Sequence, residues 1–164
     1  MDSGQESAPI TLGLAKAMIQ KDYILRQIEI LGAALAAIRR MILGGEADAK
    51  EVGSRLQKVS EQGGMALDLA RAASPETLRL LIAPTGEIEP GSCWLLAETL
   101  YLDGLHAQSL ADDEWAADSL GKARMLYSLL KPMGAFLVGF PEADERIAEI
   151  DGLRMGSVHS GDGV

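Results

Sequence analysis

The sequence predicts an all-α protein of about six helices, and three observations predict it. Leucine and alanine dominate a hydrophobic content of 48%, while aromatic residues make up only 4%; such side chains lose little rotamer freedom in a helix. Runs of β-branched residues are missing. Apolar positions recur at spacings of three and four, which is the helical period and not the alternation of a strand. A chain of 164 residues has the length of one domain and can bury about two-thirds of its unfolded surface.

Residues 1–10, MDSGQESAPI, are acidic and polar and read as a flexible tail without the apolar core of a secretory signal. A single helical domain is expected over residues 11–154. Its first element is a long helix from about Thr11 to Leu43, free of proline and stopped by Gly44 and Gly45. Within it Ile24, Ile28, Leu31, Leu35, Ile38 and Ile42 alternate at spacings of four and three, the seam of a coiled coil. Lys21 occupies the next seam position, so the seam fades there. A second row, Tyr23, Ile30, Ala34, Ala37 and Met41, widens the apolar face until one neighbour is not enough to cover it. Both neighbours can come from the same chain, or one face can dock on the same helix of a second subunit in a homodimer.

Residues 48–62 form a second helix with Val52, Leu56 and Val59 on one face, and Gly63 and Gly64 break it. A short third helix covers residues 65–73. Ser74 and Pro75 are a cap and a first-position proline for a fourth, residues 75–83, whose Leu78, Leu80, Leu81 and Ile82 are expected to be largely buried. Two prolines and two glycines make residues 84–91 a connecting loop.

Residues 94–131 read as an antiparallel helix hairpin. Leu96, Leu100, Gly104 and Ala107 form one row; Ala116, Leu120, Ala123, Tyr127 and Leu130 form the facing row. Small residues at 104, 116 and 123 allow close backbone approach. Asp112 or Asp113 caps the second helix. An apolar, glycine-broken linker follows over residues 132–140, then a last helix from Pro141 with an acidic first turn, and a flexible tail over residues 155–164.

The hairpin resembles a single tetratricopeptide repeat over residues 97–130. With Ala97 as its first residue, Gly104 falls on the small eighth position, Ala116 on the small twentieth, Leu120 on the large twenty-fourth and Ala123 on the alanine near the end. Asp103 stands where the repeat has leucine, Ala107 where it has an aromatic, and Pro132 comes four residues late. No sister copy is visible, so the long first helix is expected to pack on the hairpin as the neighbour that a lone repeat needs. The chain is also similar to a bacterial all-helical family in which a helix of the DYILRQIE type precedes such a hairpin, a likeness that carries no activity. The repeat likeness implies a groove for a peptide or partner protein lined by Glu98, Tyr101, Leu105, Gln108 and Ser109.

Charge and motif content exclude several classes. With 24 acidic against 15 basic residues and a formal charge of −9, the chain repels a phosphate backbone, so no nucleic acid is expected. The longest apolar passage, residues 28–43, is interrupted by charge and too short to span a bilayer. Cys93 is the single cysteine, which fits a reducing, cytoplasmic setting. It sits near a helix start, where the dipole can lower a thiol pKa, yet no base is paired with it, and a buried inert thiol is expected. Asp112, Asp113, Glu114 and Asp118 lack the spacing of a calcium loop and read as capping and solvated residues. His106 and His159 have no partners at ligand spacing and are read as surface or half-buried. Trp94 and Trp115 are expected to seal the ends of the hairpin core. No cofactor, metal or catalytic set is implied. The expected function is a non-catalytic interaction module that self-associates through the long helix. The alternative is a ligand-binding or enzymatic domain with a pocket between that helix and the hairpin.

Overall fold

The computed structural model describes residues 3–133 and 141–161, and all regular structure among them is helical. Seven α-helices run α1 (Ser3–Gly44), α2 (Ala49–Gln62), α3 (Leu67–Ala72), α4 (Pro75–Ile82), α5 (Pro90–Ser109), α6 (Asp113–Leu130) and α7 (Ala143–Gly161), with one 3-10 turn at Lys131–Met133. Side-chain caps start four of them, two of these, Ser74 and Asp112, at the expected positions. Asp48 accepts from the Lys50 amide, Ser74 from Thr77, Glu89 from Gly91 and Ser92, and Asp112 from Trp115; each satisfies donors that a helix start leaves orphaned. Gly45, at φ 70°, ends α1 in the left-handed region where a side chain is disfavoured.

Several boundaries differ from the sequence reading. α1 begins at Ser3, inside the segment read as a tail. α5 begins at Pro90, since proline needs no amide partner in a first turn. α7 continues through residues 155–161, read as a tail, because its glycines cost only about 1 kcal/mol each and no proline intervenes. The linker over residues 132–140 lies mostly outside the described residues.

The core is organised around α5. Every residue from Cys93 to Ala107 is buried, so α5 is a rod enclosed by α6, α1, α2 and α7. Its polar residues must therefore find partners inside the protein. The α5–α6 hairpin turns at Leu110–Asp112, with Ala111 at φ 58°, and both expected rows are buried. Gly104 is the contact point, since a Cβ there would lie 2.6 Å from Leu120 Cγ. α1 lies along α5, with Ile28 over Gly91 and Met41 and Ile42 beside His106 and Leu110. In α4 only Leu78 is buried; Leu80 and Leu81 are exposed, because an eight-residue helix has just one side against α6.

Candidate functional site

The groove positions on α5 are covered. Glu98, Tyr101 and Leu105 are each less than 10% exposed, Gln108 is half-buried, and only Ser109 is exposed. α7 causes the difference. Arg146 donates from Nε to Glu98 Oε1 at 2.7 Å and from Nη2 to Oε2 at 3.1 Å, and the Tyr127 hydroxyl donates to the same carboxylate. Tyr101 donates to Glu149 at 2.5 Å, and the Arg146 guanidinium lies 4.5 Å from the centre of its ring. Burial and the Glu149 hydrogen bond push the Tyr101 phenol up to about 12. Ser109 donates to the His106 carbonyl. No open peptide groove joins these five residues.

A second buried carboxylate holds the other end of α5. Asp103 is wholly buried and accepts from Arg71 Nε at 3.1 Å, Trp115 Nε1 at 2.7 Å and Ser119 Oγ at 2.8 Å. Arg71 also lies 4.7 Å above the Trp115 ring, and His106 meets that ring edge-on. Contrary to the reading as surface or half-buried, His106 is buried. Burial lowers its pKa, with Asp103 opposing and Arg71 adding to the effect. The side chain of His159 lies outside the described residues. Lys122 donates to the Ala70 and Arg71 carbonyls at the end of α3 and pairs with Asp118 at 2.8 Å. These groups are consumed in joining helices.

Cys93 is fully buried and lies 3.6 Å from the Leu126 carbonyl. Burial, helped by Glu89, pushes its thiol up to about 12, the opposite of an activated nucleophile. Trp94 is buried against Tyr127 in an edge-to-face pair. Asp112 caps α6, while Asp113 and Glu114 are exposed. Among the described residues no group of three or more His, Cys, Asp or Glu side chains is placed to hold a metal ion. No helix among them is long and apolar enough to cross a membrane.

Between α1 and the hairpin the seam is packed, and a small cavity of about 160 Å³ remains at the end of α1, lined by Met41, Ile42, His106 and Leu110. Ile28, Leu31, Leu35 and Ile38 of the seam are at most 4% exposed within their own chain, and Ile42 is half-buried. α2 and α5 supply the neighbours that the seam needs. The side chain of Ile24 lies outside the described residues. A half-open cleft of about 350 Å³ lies between α2, α4 and the start of α5. Its polar lining is engaged: Ser60 donates to the Met65 carbonyl, Thr99 to that of Leu95, and Glu89 caps α5.

What stands open is the first part of α1. Beyond Ile28 the helix runs past the start of α5, and every described side chain from Leu12 to Ile19 is exposed. Six large apolar side chains stand exposed here and just beyond: Leu12 62%, Leu14 63%, Met18 69%, Ile19 69%, Tyr23 67% and Ile30 63%. At 3.6 residues per turn, Leu12, Ile19, Tyr23 and Ile30 fall within about 40° of one another; Leu14, Met18 and Leu25 form a second stripe roughly opposite. The arm of residues 3–27 is about 38 Å long. Tyr23 and Ile30 belong to the second row read from the sequence; Ile19 and Leu12, which that reading did not single out, continue it at helical spacing. No family model, curated protein or solved structure matches the chain.

Proposed function

We propose that the protein is a non-catalytic interaction module and that the arm of α1 is its docking element, through which it self-associates as a homodimer. One observation carries this reading: four large apolar side chains share a face that nothing among the described residues covers. Monomeric proteins seldom leave so contiguous a patch in water. A lone helix of this length is marginal without packing, so the arm has most to gain from a partner. Each fully buried Leu or Ile is worth ~1.5–3 kcal/mol; eight large apolar side chains across two copies offset an association cost of about 4–15 kcal/mol over most of its range. The packed seam between α1 and the hairpin, the small size of the cavity at its end, about 160 Å³, and the engaged polar groups of the cleft favour this over a ligand-binding or enzymatic domain. The hairpin is read as a tetratricopeptide-like unit used as scaffold: its small eighth position works as a close contact, while Glu98, Tyr101 and Leu105 of its groove positions serve as core. A single buried thiol suits a cytoplasmic setting.

The test is sedimentation velocity over a wide concentration range. Wild type should move toward dimer mass as concentration rises. Ile19→Asp with Tyr23→Asp should stay monomeric at the same concentrations with an unchanged unfolding midpoint. A wild-type chain that remains monomeric throughout, with no protein partner holding the arm, sinks the proposal.

A further inference from the structure

We infer that the arm pairs with the arm of a second copy running in the opposite direction, about a two-fold axis at the level of residue 21. This rests on the docking role proposed above. The exposed stripe, taken at spacings of four and three, reads Leu12, Lys16, Ile19, Tyr23, Arg26, Ile30. It is a palindrome in chemical type: apolar, cation, apolar, apolar, cation, apolar, at offsets of 9, 5 and 2 residues on either side of 21. A two-fold interface must be self-complementary, and in an antiparallel helix pair this order sets Leu12 against Ile30 of the partner subunit and Ile19 against the partner's Tyr23. All four positions are exposed.

Charge selects the direction. Residues 12–26 carry three basic side chains and one acidic, whereas residues 31–164 carry 12 basic and 20 acidic, a net −8. Parallel arms would bring two strongly acidic bodies side by side at one end, within reach of their repulsion. Antiparallel arms hold the bodies at opposite ends, and each cationic arm runs toward the other's acidic body. The open groove of about 580 Å³ between α1 and α2, with Ala34 and Ala37 on its wall, continues the stripe beyond Ile30, where the tip of the partner's helix arrives. Lys16 and the partner's Arg26 meet at one level; their stems cover the stripe while their charged ends stay in water.

Two measurements on the full-length chain test the register. Leu12→Cys and Ile30→Cys proteins are mixed and treated with a short bis-maleimide; Cys93 is buried, and wild type serves as the control. The mixture should give cross-linked dimer, and Leu12→Cys alone almost none, because in the antiparallel pair the two Leu12 positions lie about 27 Å apart. Efficient cross-linking of Leu12→Cys alone overturns the register and leaves self-association standing, as does a chain that dimerises by sedimentation yet cross-links in neither sample. Absence of dimer in wild type removes both readings. Independently, Lys16→Glu should tighten dimerisation about 10-fold, by turning two cation pairs into ion pairs with the partner's Arg26. In a parallel pair it sets Glu against Glu, and a dissociation constant unchanged or raised overturns the proposal.

Discussion

Arg146 on α7 grips Glu98 at the middle of α5 through two parallel N–H···O contacts of 2.7 and 3.1 Å, with both side chains less than 10% exposed. Breaking a buried pair strands one charge in the core. Arg146→Met is expected to cost about 3–5 kcal/mol. The double variant Glu98→Leu with Arg146→Met should recover much of that, because it leaves no unpaired charge. Urea unfolding curves of the two variants and wild type decide it; equal losses would show that Glu98 is held by something other than Arg146.

Asp103 occupies the position where a tetratricopeptide repeat carries leucine. Restoring the repeat by Asp103→Leu leaves Arg71, the Trp115 indole N–H and the Ser119 hydroxyl without their shared acceptor. A loss of about 3–5 kcal/mol is expected despite the gain in hydrophobicity, read by thermal and urea unfolding. A neutral or stabilising result would mean that the polar cluster is dispensable.

Gly104 meets Leu120 at the hairpin crossing, where an added Cβ would lie 2.6 Å from Cγ and 2.7 Å from Cδ2. Gly104→Val should destabilise by about 1–3 kcal/mol through overpacking. Gly104→Val combined with Leu120→Ala should regain part of the loss, measurable in the same unfolding assay.

Two buried groups give the stability curve opposite slopes. His106 has a folded pKa below its ordinary value of 6.5, so the unfolded chain binds the extra proton first. Its contribution is complete above about pH 6.5 and is lost as pH falls toward the folded value. Replacement by Asn should flatten the fall between pH 7 and 5. The Cys93 thiol moves from 9.0 to about 12; its contribution is complete below about pH 9 and is lost as pH rises toward 12. At pH 8 native protein should resist a thiol reagent that labels it at once in urea.

Amide hydrogen exchange separates the arm from the body. Residues 12–26 should exchange orders of magnitude faster than α5 in dilute protein and gain protection as concentration rises. Uniform protection at all concentrations would contradict an arm that depends on a partner for cover.

Much of this architecture was legible because it is local. The hairpin rows alternate small and large residues at helical spacing, and Gly104 against Leu120 is what that pattern requires. The caps at Ser74 and Asp112 announce themselves in one or two residues. The fate of Glu98 and Tyr101 was not legible, since Arg146 lies 48 positions from Glu98 and nothing local marks it as a buried counter-ion. An exposed polar face on α5 and one sealed by another helix share the same periodicity. On α1 the period showed how wide the apolar face is, but not where the body stops beneath it. Ile28 is covered and Ile30 is not, because the two lie about 160° apart around the helix and only the face of Ile28 meets α5.

The seat of Ile28 on Gly91 is also a fulcrum. It is the last buried contact of α1 toward its N-terminus among the described residues, and glycine leaves only backbone for the isoleucine to rest on. About 38 Å of helix extends beyond that point. A tilt of about 5° there sweeps the far end through about 3 Å, more than half of one helical turn. The volume of the side chain at position 91 therefore trims the aim of the arm from a distance, without touching any surface that the arm presents.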